Sequence, residues 1–375
     1  MEQGQIELAG GGINCSVIMK IQLSHKFENY LGTKSLSNKF EDIVNVDNLL
    51  EAWKAFIKGK KDKPDVQQFS FCLMDNILLL YHNLIDRNYR HGGYQCFTIN
   101  DPKRRAIHKA CVRDRLLHHA VHRKLYPFFD KKFIADSFSC RIDKGTHRAL
   151  NRFRSFAYKV SKNDTKNCWV LKCDIRKFFA SIDQNILLEI LKKYIPDNNI
   201  IHLLEEIISS FCSGKSGKGL PLGNLTSQLF ANIYMNELDQ FIKHKLKIKY
   251  YIRYCDDFVI LAENKDYLEK LTSRIASFLK EKLKLLLHSD KIEIRKYHQG
   301  VDFLGYIIFP HFRILRIKTK RGVFKKIEER IEELTENRIT EEYFNQALQS
   351  YFGLLKYCNS YKIKNKLLDK LVYAY

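Results

Sequence analysis

The sequence has no apolar run of 18 residues, so no helix crossing a bilayer is expected. It does not open with a basic stretch followed by an apolar core, which argues against a secretory leader. No Cys-x-x-Cys pair occurs among its ten cysteines, and their spacing is irregular. Several, such as Cys72, Cys173 and Cys255, lie inside apolar runs, which predicts reduced, buried thiols in a cytoplasmic protein and no disulfide frame. There is no internal repeat and no long low-complexity tract. Acidic residues are scarce beside basic ones, 42 against 64, leaving a formal charge of +22. A chain this basic is expected to meet a polyanion, nucleic acid before a membrane surface or an acidic protein, because neutralising phosphates releases condensed counterions.

What is present fits that expectation. The 25 Phe and 20 Tyr offer flat faces for bases and sugars, although most must be core. A 45% hydrophobic content over 375 residues can bury a sizeable core, and the length suggests two or three domains or subdomains. Residues 1–18 are Gly-rich and weakly patterned, either disordered or upstream of a start at Met19, and we set 1–25 apart as an N-terminal segment. Residues 46–90 read as helical, with Val46-Asp47-Asn48 capping Leu49 onward and one long helix from Phe71 to Leu84. Residues 94–99 suit a strand, Lys103 to Arg115 is a dense basic cluster, and Arg113 to Phe129 and 146–160 suit helices. His118, His119 and His122 have helical spacing but no partner cluster, so a solvated or phosphate-facing helix is expected in place of a metal site.

The period then changes. Trp169 to Ile175 is a short β-rich run with Asp174 near its end. A helix from Gln184 capped by Asp183, a Gly- and Lys-rich loop from Gly214 to Gly223 and a long helix from Asn224 to Lys247 follow. Tyr250 to Ala262 is a hairpin with Cys255-Asp256-Asp257 at its tip; a helix over 267–285 and strands at 291–296 and 301–309 come next. From Lys318 the chain is basic and helical. This order predicts an α+β fold, a small antiparallel sheet with helices on one face.

Adjacent carboxylates at a hairpin tip, facing a third from a neighbouring strand, repel one another unless a cation compensates. Joining a nucleotide to a primer requires such a set. Two divalent ions about 3.5–4 Å apart activate the attacking 3′-oxygen and stabilise the leaving pyrophosphate. Magnesium takes hard oxygen ligands and keeps some waters, so two or three carboxylates suffice.

Tyr254-Cys-Asp-Asp257 resembles the Tyr-x-Asp-Asp signature of reverse transcriptases, RNA-directed DNA polymerases. Lys172-Cys-Asp-Ile-Arg-Lys-Phe-Phe-Ala-Ser-Ile-Asp183 resembles the family's first catalytic strand. Gly219-Leu-Pro-Leu-Gly-Asn-Leu-Thr-Ser-Gln228 resembles its nucleotide-pocket loop, and Phe303-Leu-Gly-Tyr306 its primer-grip hairpin. Arg105 to Arg115 and Phe138 to Arg148 match its fingers motifs, so the ordered set covers roughly residues 100–310.

The resemblance implies a right-hand polymerase with a Tyr-x-Asp-Asp hairpin on an antiparallel palm sheet. Fingers would span 26–165 with part of 185–230, palm 166–310 and a short helical thumb 311–375, leaving no room for a further domain. It implies Asp174 and Asp256 as principal ligands of two Mg²⁺ ions (or Mn²⁺), Asp257 as the third acid and the Ile175 carbonyl as a further oxygen. Nucleotide contacts would come from Arg105 on the triphosphate, Phe179 as the steric gate against a ribose 2′-hydroxyl, Leu222, Gly223, Gln228, and Lys291 at the pyrophosphate. Phe303, Leu304 and Gly305 would grip the primer. Substrates would be deoxynucleoside triphosphates, a template RNA and the RNA–cDNA duplex.

Most reverse transcriptases carry Gln-Gly and Ser-Pro in the pocket loop, whereas this chain has Leu222-Gly223 and Ser227-Gln228. That departure resembles the enzymes of diversity-generating retroelements. It implies mutagenic retrohoming, with misincorporation opposite template adenines, and a small basic accessory protein as partner. A retron-like or phage-defence enzyme, or a non-catalytic RNA-binding protein on the same scaffold, are the alternatives. Excess positive charge is expected along the cleft and on an outer RNA-binding face, with Arg316, Lys318, Lys320 and Arg321 entering the thumb as a basic strip.

Overall fold

A computed structural model describes residues 35–100 and 104–372. The N-terminal segment 1–25 lies outside the described residues. Helix α1 (Phe40–Ile43) is followed by α2 (Val46–Phe56), which buries Leu49, Ala52, Trp53 and Phe56. Its cap is Asn45, whose side chain accepts from the Asn48 N–H at 2.7 Å, one residue before the expected start. The expected helix over 71–84 is split. Pro64 starts α3 (Pro64–Phe71), Cys72 leaves helical geometry with φ −114° and ψ 47°, and α4 (Leu73–Ile85) begins after it. That break puts Cys72 on the surface, contrary to its apolar context, while Cys173 is buried and Cys255 half-buried.

Strands β1 (Tyr94–Ile99) and β2 (Arg105–Ala110) form an antiparallel hairpin, so the basic cluster is partly a strand. Helix α5 (Val112–Asp130) carries the histidine trio into the interior, correcting the expectation of a solvated helix. His118 is buried and stacked on His91, His119 meets the edge of Phe56, and His122 stacks on Tyr126. Burial holds His119 and His122 down at about 4, so these rings are neutral packing groups at neutral pH. Helix α6 (Thr146–Val160) follows.

The central sheet is antiparallel, with order β4-β5-β3-β6: β4 (Tyr251–Tyr254), β5 (Asp257–Ala262), β3 (Trp169–Cys173) and β6 (Glu293–Lys296). Residues alternate between two cores. Leu171, Cys173, Tyr251, Phe258 and Ile260 face one; Val170, Ile252, Val259 and Leu261 face the other. Both faces being covered explains the continuous apolar run of β5.

The one-turn helix α7 (Phe178–Ser181) follows β3, and the first core is closed by α8 (Gln184–Lys192), α9 (Asn198–Ser209), α10 (Leu225–Gln240) and α11 (Lys265–Leu283). Asp183 caps α8 through the Ile186 N–H at 3.2 Å, as the sequence predicts, and Asn264 caps α11. The second is closed by α6, a three-stranded sheet of β7 (Val301–Phe303), β8 (Tyr306–Ile308) and β9 (Arg313–Leu315), and C-terminal helices α12 (Ile317–Thr335), α13 (Glu341–Leu355) and α14 (Tyr361–Val372). This small sheet crosses residue 310, where the sequence suggested that a thumb begins.

Candidate active site

The site is built by register. Cys173 pairs with Phe258 across β3 and β5, so continuing one residue sets Asp174 opposite Asp257 at the mouth of the β4–β5 hairpin. Tyr254 pairs with Asp257, leaving Cys255 and Asp256 as the turn. Cys255 adopts φ 59°, a left-handed conformation. Beyond β3 the chain is clipped to the segment before β6: the Asp174 carbonyl accepts from the His288 N–H at 2.8 Å, and the Arg176 N–H donates to the Leu286 carbonyl at 2.9 Å. The Ile175 carbonyl takes no part in this bridge.

Electrostatics mark the same place. Burial, then the charges of Asp256 and Asp174, push the Asp257 carboxyl up to about 7. The Asp256 carboxyl is also raised, chiefly by burial, with Asp174 adding repulsion. Lys291 Nζ donates to Asp174 Oδ1 at 2.7 Å. Among the described residues no three ligating side chains already surround one cation position. The donor set nevertheless fits a divalent ion: three hard carboxylates meet at one mouth, and their mutual repulsion is what a cation would relieve.

The nucleotide-pocket candidates gather around β2. The His108 N–H donates to the Leu222 carbonyl at 2.8 Å, and Asn224 Nδ2 donates to the His108 carbonyl at 2.9 Å. Leu222–Asn224 is therefore clamped to the fingers hairpin through both main-chain groups of one residue, His108. Gly223, at φ 110°, is required there because a Cβ would stand 2.7 Å from Ile107 Cγ2; its close approach is to β2. Arg105 begins β2 and is exposed, and Gln228 is exposed on the first turns of α10. Of the Phe pair, Phe178 is buried and Phe179 only partly so, the rings meeting edge-on at 5.3 Å. The Phe179 carbonyl accepts from the Leu220 N–H at 2.8 Å, joining this ring's segment to the pocket loop.

At the primer-grip candidate, Leu304 (φ 50°) and Gly305 (φ 87°) form the two-residue turn between β7 and β8. Phe303 is a core residue, 0% exposed and 5.8 Å from Phe153, so only Leu304 and Gly305 can face a ligand. Lys172 Nζ donates to the Asp302 carbonyl at 2.7 Å, and Arg316 pairs with the Asp302 carboxylate, which removes Arg316 from the free basic strip.

Sequence reading missed one feature beneath the tip. Arg253 in β4 and Asp239 in α10 form a wholly buried ion pair, with Nη2 and Oδ2 2.7 Å apart. The available signal was Arg253, a charged residue in the otherwise apolar strand Tyr251-Ile-Arg-Tyr; Asp239, in the polar Asn-Glu-Leu-Asp-Gln end of α10, gave none.

The chain matches the family model "Reverse transcriptase (RNA-dependent DNA polymerase)" over residues 99–308. Protein YkfC of Escherichia coli is 22% identical over 262 residues, 60% of this chain and 67% of that protein. The group II intron-encoded protein LtrA of Lactococcus lactis is 24% identical over 277 residues, 56% of this chain but only 45% of its own length. The putative COX1/OXI3 intron 2 protein of Saccharomyces cerevisiae is 21% identical, over 57% of this chain and 30% of that protein. The chain thus spans about two thirds of YkfC and less than half of these two intron-encoded proteins. Among solved structures, apo telomerase from Candida tropicalis truncated from its C-terminal domain is 16% identical over 61% of this chain and 55% of that one, with a TM-score of 0.47. With the family model covering more than half of its length, the chain belongs to the reverse transcriptase (RNA-dependent DNA polymerase) family.

Proposed function

We propose that this chain copies a template RNA into cDNA by nucleotidyl transfer. The observation that carries the reading is the strand register that brings Asp174 opposite Asp257, with Asp256 in the turn between β4 and β5. A pair of Mg²⁺ ions (or Mn²⁺), when bound, supplies activation of the primer 3′-oxygen and charge neutralisation at the leaving pyrophosphate. Asp174 and Asp256, with the Ile175 carbonyl, are the groups to hold them, and Asp257 completes the acidic cluster. Phe179, partly exposed beside the inward Phe178, fills space where a ribose 2′-hydroxyl would stand. Arg105 offers a guanidinium fork to the triphosphate. Leu222 and Gly223 shape the base-pair side of the pocket, and Leu304 and Gly305 support the primer.

The finer reading is a diversity-generating retroelement enzyme, error-prone at template adenines and working with its RNA and a small basic protein. Its support is the pocket loop: Leu222 has no polar side chain to anchor the nucleotide, and its carbonyl is already taken by His108.

Primer extension on a defined RNA template, with deoxynucleotides and Mg²⁺, tests both levels. Asp256-dependent cDNA with errors concentrated opposite adenine is expected, with Asp256→Asn as the control. Accurate cDNA would keep the polymerase and replace the subclass with a retron-like or defence enzyme. No product with RNA and candidate partners supplied would put a binding protein on this scaffold in its place.

A further inference from the structure

Arg253 lies in an otherwise apolar strand with its side chain 0% exposed. A buried guanidinium is costly unless its N–H groups are paired. Here all five are used. Nε and Nη2 hold the Asp239 carboxylate at 2.8 and 2.7 Å, and Nη2 also donates to Ser137 Oγ at 3.0 Å. Nη1 donates to Asn232 Oδ1 at 3.1 Å and to the Cys255 carbonyl at 3.0 Å. The Tyr251 hydroxyl donates to Asp239 Oδ1 at 2.7 Å, fixing the carboxylate in turn. The Arg253 main chain is held too: its N–H donates to the Asp136 carbonyl, and its carbonyl accepts from the Phe138 N–H, each at 3.0 Å.

The Cys255 contact is the one that matters for chemistry. The Cys255 carbonyl and the Asp256 N–H belong to one planar peptide unit. Cys255 is also the turn residue held at positive φ, a conformation that persists only where its surroundings impose it. A donor fixed on that carbonyl therefore fixes the plane from which Asp256 departs.

We propose that Arg253 is the positioning residue of the catalytic tip. Gripped bidentately by Asp239 on α10, its guanidinium holds the Cys255–Asp256 peptide and sets where both tip carboxylates stand. The inference rests on the polymerase reading above. It separates Arg253 from an ion pair that serves folding alone, because lysine keeps the charge but has three donors and no planar fork. Lysine cannot grip Asp239 bidentately and reach the Cys255 carbonyl at once.

The test is a Mn²⁺ titration of the full chain, read by primer-extension rate and by thermal midpoint, for wild type, Arg253→Lys, Asn232→Ala and Ser137→Ala. Arg253→Lys is expected to raise the half-saturating Mn²⁺ and lower kcat by about 10–100-fold, with the nucleotide KM little changed. Asn232→Ala frees the amino group that also holds Cys255 and should move the metal requirement the same way by a smaller factor. Ser137→Ala touches the other amino group and should leave it at the wild-type value. A folded Arg253→Lys with wild-type metal requirement and rate overturns the proposal. If that variant does not fold, Asn232→Ala decides: a wild-type requirement there overturns it. Wild type that neither extends a primer nor responds to Mn²⁺ removes the polymerase reading and this inference together. An active wild type with unaltered variants removes this inference alone.

Discussion

Lys291 Nζ stands 2.7 Å from Asp174 Oδ1, so the carboxylate at the end of β3 is paired with a cation from the turn preceding β6. The pair is partly exposed and contributes little to stability. Its consequence is competition, because the same carboxylate is the one proposed to hold a divalent ion. Lys291→Met is expected to lower the half-saturating Mg²⁺ several-fold while reducing kcat about tenfold or more, if the amine serves the leaving pyrophosphate. A variant with tighter metal binding and an undiminished rate would leave Lys291 as a competitor alone. Steady-state extension across a Mg²⁺ series measures both quantities.

The Asp257 carboxyl, pushed up to about 7 by burial and by Asp256 and Asp174, gives a pH dependence of definite sign. A carboxyl raised above its unfolded value binds more protons in the folded state, so stability falls as pH rises from about 4 to about 7. The metal-free protein should therefore have a lower thermal midpoint at pH 8 than at pH 6 from this group. Mg²⁺ or Mn²⁺ should raise the midpoint more at pH 8, where protons no longer compete. Asp257→Asn should flatten the pH dependence and shrink the metal-induced shift. Differential scanning fluorimetry over that pH range, with and without metal, measures each.

How much of this was legible in the sequence follows the range of the interactions. The Asp183 cap, the Asp-ended strand and the hairpin tip depend on neighbours a few residues away, and each was readable. The convergence of Asp174 on the hairpin tip was readable because β3 and the hairpin each carry their own acid. Strand β2 was read only as a basic cluster, since its partner β1 gives it meaning and Arg-Ala-Ile-His-Lys-Ala has little apolar alternation. The histidine trio was misplaced because helical spacing alone does not say which side of α5 faces the core. Arg253 and Asp239 carry no local sign of each other, because their pairing forms only when the hairpin lies against α10. Gly223 signalled a close approach but not its partner, Ile107, which folding brings from a distant part of the chain.

That approach can be tested apart from catalysis. Gly223→Ala adds a Cβ 2.7 Å from Ile107 Cγ2 at φ 110°, so steric and backbone strain add. A loss of about 1–3 kcal/mol in stability is expected. Ile107→Ala in the same chain should recover the steric part and leave the backbone part. Denaturant melts of the two single variants and the double variant close the cycle; strict additivity would mean that Ile107 is not the neighbour that matters.

The pocket loop carries the sharpest functional prediction. Leu222 presents an apolar side chain, and its carbonyl accepts from the His108 N–H, so its side chain can offer a nucleotide shape but no hydrogen bond. Leu222→Gln restores a polar group without disturbing the main-chain clamp. If the missing contact relaxes discrimination, errors opposite template adenine should fall by about 5–10-fold, the size of one ordinary hydrogen bond. Overall extension should change much less. Sequencing cDNA made by both proteins on one adenine-rich template measures this directly. An unchanged spectrum in an active Leu222→Gln variant would place the source of any errors opposite adenine away from this side chain, toward the Gln228 end of the loop or the fingers hairpin to which it is clamped.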